Sequence, residues 1–296
     1  MSTNTAIIVT TYKPSSEFLN TWSYLAKCGL QVFISDNTPG GSSILLAFAS
    51  VEDNIILLQG GQNYGLGKAL TDGINKAKKM GFRYIMLLDQ DTEPTITLIN
   101  NLKDTHELLS KKYNRPIVVS PVFSDRSLNY ENQDIEIEAL DQVSCLPTAG
   151  MFFEAKHWKS ENGFSQELFM DLTDFEWCWR MKTKGWLFFQ HKVLKIKQVL
   201  GEGSTSFFRL KINIPSPFRH YFQFRDTLRI STMNHVPIKS KIRFLIVLPI
   251  KIILYPLILE NGRKRLIWML LGIKDFFLKV HGIGSASFLL NKIDED

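Results

Sequence analysis

Five short apolar runs punctuate the amino-terminal part of the chain: AIIVT (6–10), LQVFIS (30–35), NIILL (54–58), YIMLLD (84–89) and PIVVS (116–120). They are continuous rather than alternating. A strand reads this way when both of its faces are covered, because every side chain then points into a core. Between them, residues 15–27, 66–80 and 95–112 space their apolar side chains as helices do. A βαβα order of this kind predicts an open, mostly parallel α/β sheet.

Such a sheet binds ligands off the carboxyl ends of its strands. The first strand ends at TTY (10–12), the second at SDN (35–37) and the fourth at DQD (89–91), and the third runs into GGQNYGLG (60–67). All four polar clusters are expected at one edge of the sheet.

The DQD cluster is the most demanding of them. Asp89 and Asp91 stand one residue apart at the end of a buried strand. An extended backbone points both side chains the same way, so two like charges face one another unless a cation lies between them. Mg²⁺ is commonly held by one or two carboxylates together with substrate phosphates and waters. The plainer reading is an acidic loop that starts the next helix, with Thr92, Glu93 and Pro94.

The other clusters are less specific. Asp36 is placed either to hydrogen-bond a base or ribose or to make an Asx-turn into TPGG. GGQNYGLGKAL matches neither the Walker pattern nor a G-x-G-x-x-G loop. Its Gly65 and Gly67 allow a close approach to ligand or simply a turn, with Asn63 as a polar contact. In FMDLTDFEWCWR (169–180), Thr173 and Glu176 fit a capping box. Asp174 then falls in the first helical turn, as a general base or as a partner of the helix dipole. Arg180 is expected to pair with a carboxylate. Trp177 and Trp179 read as packing residues that could also carry a sugar. His157, His191 and His220 lack metal-ligand spacing.

Charge is unevenly placed. The net charge is +6, yet residues 237–282 carry nine Lys/Arg against Glu260 and Asp275. Within this stretch, IRFLIVLPIKIILYPLIL (242–259) holds only Arg243 and Lys251 as charges. Pro249, Pro256 and the mid-run Lys251 argue against one straight spanning helix. Amphipathic helices lying on an anionic membrane surface are expected, with helices packed on the catalytic domain as the alternative. The stretch is too apolar for nucleic acid. Three cysteines without a disulfide or zinc pattern, and an amino terminus that reads as a strand rather than a signal peptide, point to a reducing cytosol.

Taken in order, IIVTTYK, ISDN, NYGLGKALTDGI, YIMLLDQD, TAGMFFEAKHW, GFSQELFMDLTDFEWCWRMKTKGW and PFRHYFQFRDTL resemble the inverting, metal-dependent family-2 glycosyltransferases of GT-A fold. They look most like the bacterial rhamnosyltransferases of surface-polysaccharide (O-antigen or capsule) assembly. The resemblance covers roughly residues 5–230. It implies a GT-A catalytic domain over 1–236, with a donor half to about 120 and an acceptor half beyond, followed by a helical, membrane-associating region over 237–296. By the same resemblance Thr10, Thr11 and Tyr12 form the first nucleotide-contacting turn, and Asp36 recognises the base or ribose. Asn63 and Lys68 lie over the nucleotide. Asp89 and Asp91 hold Mg²⁺ or Mn²⁺, with Gln90 between them at the donor. Ala149 and Gly150 line the donor sugar, while Asp171, Trp177 and Arg180 belong to the substrate side. Asp174 is the catalytic base, preceded by Thr173 where relatives have Glu. Many relatives carry a histidine before a Leu-Gly pair as a further metal or diphosphate contact; here Gln198 stands in its place.

The implied reaction takes a sugar, L-rhamnose from dTDP-L-rhamnose, to a polyprenyl-diphosphate-linked saccharide. It implies a protein of the bacterial cytoplasm, peripheral on the inner face of the cytoplasmic membrane. The alternatives are another donor (UDP-hexose, UDP-GlcNAc or UDP-galactofuranose), a nucleotidyltransferase, or a non-catalytic nucleotide-sugar-binding protein. Oligomeric state is not legible.

Overall fold

A computed structural model describes residues 4–124, 139–198, 204–207, 210–213 and 216–287. The acidic stretch 130–138, the Leu-Gly pair at 200–201 and the acidic carboxyl-terminal residues 294–296 lie outside the described residues. The chain packs as two compact units, Met1–Phe164 with Trp177–Leu200, and Ser165–Glu176 with Gly201–Asp296.

The first unit is built on strands β1 (Thr5–Thr11), β2 (Gln31–Asp36), β3 (Ile55–Gln59), β4 (Tyr84–Asp89), β5 (Thr92–Glu93), β6 (Ile117–Ser124), β7 (Leu140–Val143), β8 (Phe152–Glu154) and β9 (Leu187–Gln198). Its helices are α1 (Leu19–Lys27), α2 (Ser43–Ala49), α3 (Leu66–Lys79), α4 (Ile96–Tyr113) and the greater part of α5 (Thr173–Thr183). The five expected strands are all present, and α2 is an addition to the expected helices. The sheet runs β3-β2-β1-β4-β8-β6-β9-β5, with β7 beside β9. Its β3-β2-β1-β4 half is wholly parallel, and the other half mixes both directions.

The continuous apolar runs have a simple cause. Ile7 and Val9 of β1, Val32 and Ile34 of β2, and Met86 and Leu88 of β4 enter one core with Trp22, Leu45 and Leu98 from α1, α2 and α4. Ala6, Ile8, Phe33, Ile85 and Leu87 point the other way, to Leu70 and Ile74 of α3 and Trp177 of α5. Alternate residues of each strand feed opposite layers, so no position is left for a polar side chain. Strand β6 runs past its expected end through Pro121. A register shift against β9 falls between Pro121 and Val122, where the missing N–H of proline is tolerated.

The second unit holds the hairpin β10 (Ser204–Phe207) and β11 (Leu210–Asn213), and helices α6 (Arg219–Thr232), α7 (Ile238–Ile258) and α8 (Gly262–Phe277). Tyr221 and Phe222 of α6 pack with Trp268 of α8 and Phe169, and Phe224 packs with Leu248 of α7 and Met269 of α8. The expected boundary after residue 236 thus falls inside this unit, because α6 buries its apolar side chains on the two carboxyl-terminal helices. Gly272 makes the α6–α8 approach possible: a Cβ there would lie 2.4 Å from the Tyr221 carbonyl oxygen.

Helix α7 continues through both Pro249 and Pro256. Its side chains are apolar nearly all round, rather than amphipathic. Among the described residues no helix is long and apolar enough to cross a membrane.

Candidate active site

The parallel register of the first unit decides which residues meet. Thr10 pairs with Asp89 across β1–β4, and Thr11 with Asp36 across β1–β2. The ends of β1, β2 and β4 therefore share one edge of the sheet, as the strand-end rule requires. Tyr12 N–H donates to Gln90 Oε1 at 2.9 Å, which ties the first strand's loop to the DQD turn. Asn37 Nδ2 donates to the Gly65 carbonyl at 3.2 Å, so the 60–67 loop joins the same edge.

Asp36 is buried and accepts hydrogen bonds from Thr11 Oγ1, Thr38 N and Oγ1, Ser42 N and Gln59 Nε2, at 2.7–3.1 Å. Both carboxylate oxygens are engaged. Its evident work is to fold the turn after β2 and hold it against β1 and β3. Asn63 Oδ1 accepts from Gly65 N at 3.0 Å, an Asx-type turn. Lys68 reaches Asp72 at 2.7 Å and lies 5.8 Å from the centre of the Tyr64 ring. A cleft of about 710 Å³ runs along this side, walled by Asp36, Asn37, Gln59, Tyr64, Lys68 and Asn75 among others; its walls include neither Asp89 nor Asp91.

The DQD turn does not start a helix. Thr92 and Glu93 form β5, antiparallel to the end of β9 with Thr92 opposite Gln198. Helix α4 begins later, with Thr95 Oγ1 accepting from Leu98 N at 3.1 Å as its cap. The plainer reading of the acidic pair is thus set aside. Pairing with β9 brings Gln198 to it: Gln198 Nε2 lies 3.4 Å from Asp89 Oδ2 and 3.3 Å from Asp91 Oδ1 and donates to both. A Lys197–Glu93 ion pair at 2.7 Å fastens the two strands alongside. Burial pushes the Asp91 carboxyl above its ordinary value, while the Gln198 donor pulls it down.

Among the described residues no three His, Cys, Asp or Glu side chains gather as a metal-binding group. At this turn the described residues bring together two carboxylates and the Gln198 amide, which turns its Nε2 to them. Oxygen donors of this kind suit a hard cation such as Mg²⁺ or Mn²⁺ that also keeps phosphate or water ligands.

Several expected substrate contacts have other work. Trp177 is fully buried, donates Nε1–H to the Asn162 carbonyl at 3.0 Å and stacks on Phe164. It is a core residue and not a sugar platform. Arg180 Nη2 donates to the Gly163 carbonyl at 2.6 Å and so anchors that loop. Ala149 is buried. Gly150 has φ 88° and donates its N–H to the Leu87 carbonyl at 2.7 Å; a Cβ there would lie 2.9 Å from Pro121. This turn needs glycine for both reasons.

The second unit carries Asp171 and Asp174. Asp171 is held by Arg219, whose Nε and Nη2 donate to Oδ1 at 3.1 and 2.8 Å. Asp174 lies half-buried in the first turn of α5, with the Phe175 N–H donating to its Oδ1 at 2.8 Å. Burial pushes its carboxyl up to about 6, and the charge of Asp171 adds to the rise. The expected capping box is absent. Thr173 Oγ1 donates to the Met170 carbonyl, and Glu176 Oε1 stands 2.8 Å from His235 Nε2. Leu172 just before the helix has φ 64°, a costly conformation for a branched side chain, and this sets the turn off the path a capping box needs.

Motif and spacing do not point to Gln59, Thr38 and Ser42 around Asp36, nor to Arg219 and His235 in the second unit. Gln59 ends a strand and was open to the strand-end rule. Arg219 lies in the quoted PFRHYFQFRDTL run. His235 carries no local signal.

Comparison with known proteins follows the same lines. Residues 6–134 match the family model described as Glycosyl transferase family 2. The dTDP-rhamnosyl transferase RfbF of Shigella flexneri is 26% identical over 258 residues, which spans 82% of this chain and 85% of that protein. The crystal structure of S. aureus TarS is alike in fold, with a TM-score of 0.51 and 14% identity over 93% of this chain; the chain spans 49% of that structure's length.

Proposed function

We propose that this chain, a glycosyltransferase whose residues 6–134 form a family 2 domain of GT-A architecture, moves L-rhamnose from dTDP-L-rhamnose onto a hydroxyl of a lipid-linked saccharide, with inversion at the anomeric carbon. The observation that carries the reading is the register that sets the ends of β1, β2 and β4 at one sheet edge, with Gln198 brought onto Asp89 and Asp91. The name of the Shigella relative supports the base and the sugar.

Asp89 and Asp91 would hold a divalent cation, and Gln198, whose Nε2 donates to both carboxylates, would become a further contact by turning its amide oxygen toward the ion. The cation, when bound, neutralises charge on the nucleoside diphosphate leaving group. The turn of Thr10, Thr11 and Tyr12 receives the nucleotide, and Asp36 keeps that turn in place through Thr11. Asp174 takes the proton of the attacking hydroxyl. The acceptor oxygen bonds to the anomeric carbon as that carbon's bond to phosphate breaks, and the electron pair leaves with the diphosphate. A carboxyl held near 6 suits a base at neutral pH, being ionised there yet more basic than a solvated aspartate.

Thermal shift with a panel of nucleotide sugars tests the donor. dTDP-L-rhamnose with Mn²⁺ is expected to stabilise the protein most, by about 2.7 kcal/mol at a hundred times Kd. A larger effect from UDP-hexose, UDP-GlcNAc or UDP-galactofuranose would reassign the donor. Pyrophosphate release from a nucleoside triphosphate would favour a nucleotidyltransferase.

The same reading places the enzyme on the inner face of a bacterial cytoplasmic membrane, where a polyprenyl-diphosphate-linked acceptor resides. Helix α7 supports it. Ile246, Ile250, Ile253 and Leu257 follow one another along its outward side, and the last two are 63% and 78% exposed. The helix has no acidic residue, and Lys239, Lys241 and Arg243 stand in its first turns. An apolar face with basic flanks fits an anionic lipid surface. Ile246, Ile250 and Ile253 all changed to Gln should lower co-sedimentation with phosphatidylglycerol vesicles at least about tenfold, since burying each such side chain is worth about 1.5–3 kcal/mol. Unchanged sedimentation would remove α7 from the membrane contact.

A further inference from the structure

The run PFRHYFQFRDTL opens α6, and that helix carries a buried polar network. Arg219, Asp226 and Arg229 fall on one side of that helix at 100° per residue. Each grips the chain ahead of Asp174. Arg219 makes its forked bond to Asp171 at 2.8 and 3.1 Å. Asp226 Oδ2 accepts from Phe169 N–H at 3.0 Å, and Arg229 Nη1 donates to the Glu167 carbonyl at 2.5 Å. Asp226 is itself fixed by Arg225 Nε at 2.8 Å, and both are fully buried. Arg225 and Arg229 are tied in turn to the Gly282 and Val280 carbonyls after α8.

A single ion pair would hold one side chain. Three bonds, to the carbonyl of 167, the N–H of 169 and the carboxylate of 171, hold a backbone path. That path leads at once into Leu172, in a conformation that needs outside support, and then into the helix turn with Asp174.

We propose that α6 is the positioning element of the acceptor-side base. Arg219 is its adjustable member, placing Asp171 and balancing its charge beside Asp174. The proposal rests on the reading of Asp174 as base. Among the described residues of this unit, Asp171 acts directly on Asp174, Arg219 on α6 and Lys251 on α7 act on Asp171, and Glu176 of the same segment is met by His235 after α6. Arg219 is the group in direct contact with Asp171. Without its guanidinium, the Asp171 carboxylate loses its forked partner, and its charge acts on Asp174 with only Lys251 to offset it.

The test compares Arg219→Gln, Arg219→Lys, Asp171→Asn and Asp174→Asn in the full chain, reading kcat, donor KM and the acidic limb of the pH–rate profile. Arg219→Gln is expected to lower kcat on the order of tenfold to a hundredfold, as small displacements of a catalytic group do. Donor KM should stay within about twofold, and the acidic limb should move to higher pH by roughly half a unit or more. Arg219→Lys, which keeps the charge without the fork, should restore the position of the limb but only part of kcat. Asp171→Asn should move the limb to lower pH. The Arg219 side chain is 48% exposed, and matching melting temperatures of the variants would confirm that the fold is kept. If Asp174→Asn is inactive while Arg219→Gln keeps kcat and the pH limb, α6 is not the positioning element and the base assignment stands. If Asp174→Asn retains the rate, the base reading itself fails and takes the proposal with it. Equal losses in kcat and donor binding with a lowered melting temperature would assign α6 a folding role alone and overturn the proposal.

Discussion

Asp174→Asn is expected to lower turnover about a thousandfold while donor binding stays within about twofold of the parent enzyme. The asparagine keeps the shape and the local acceptor for Phe175 N–H but cannot take a proton. In the parent enzyme the rate should rise with pH through about 6 and then level, because the base must be ionised. The same substitution should stabilise the fold at neutral and alkaline pH. The folded-state carboxyl sits above the ordinary aspartate value, so the folded protein binds the proton more strongly than the unfolded chain does. Stability is then full below about pH 4 and declines as pH rises through about 6. An asparagine is never ionised and escapes that loss. The gain at pH 8 should be on the order of 1–2 kcal/mol, discounted for the partly open site, and absent at pH 4. Thermal denaturation at the two pH values checks it. A variant that is both active and no more stable at pH 8 would sink the assignment of a half-buried, proton-accepting carboxyl.

Chelation is expected to have the second large effect. Treatment with EDTA should lower transfer on the order of a thousandfold, since neutralising a diphosphate leaving group is worth several kcal/mol. Mg²⁺ or Mn²⁺ should restore it. Asp89→Asn and Asp91→Asn should each behave like the chelated enzyme even with excess Mn²⁺. Gln198→Ala should be milder, on the order of a tenfold rise in the Mn²⁺ concentration needed, because an amide is a neutral contact. Electron paramagnetic resonance of Mn²⁺ with dTDP reads the affinity without turnover. Full transfer in EDTA would remove the cation from Asp89 and Asp91. A Gln198→Ala variant with unaltered affinity would leave the two carboxylates and the diphosphate as its holders.

The strands and helices of the first unit were legible because their signals are local. An apolar run without alternation demands cover on both faces, and the two cores provide it with alternate side chains of β1, β2 and β4. The capping box over Thr173 and Glu176 was also a local signal, but it did not form. Leu172 at φ 64° redirects the turn, and Glu176 has a neighbour in His235 that sequence proximity does not reveal. Trp177 shows the limit from the other side. A tryptophan near two aspartates suits sugar stacking as well as packing, and its burial against Phe164 decides for packing.

By itself, the sequence determined where the strands end and hence which polar residues share the sheet edge: Thr10, Thr11, Asp36, Asp89 and Asp91. Period and strand order suffice for that, since a parallel βαβ pattern delivers its carboxyl ends to one side. Only the tertiary structure decided what each of those residues touches. Gln198 meets Asp89 and Asp91 because β9 returns antiparallel to β5. Asp36 turns inward because five donors from three segments converge on it. Asp171 and Arg219 meet because α6 packs in the unit that holds the turn before Asp174. Contacts between distant residues are settled by packing, which no local periodicity encodes.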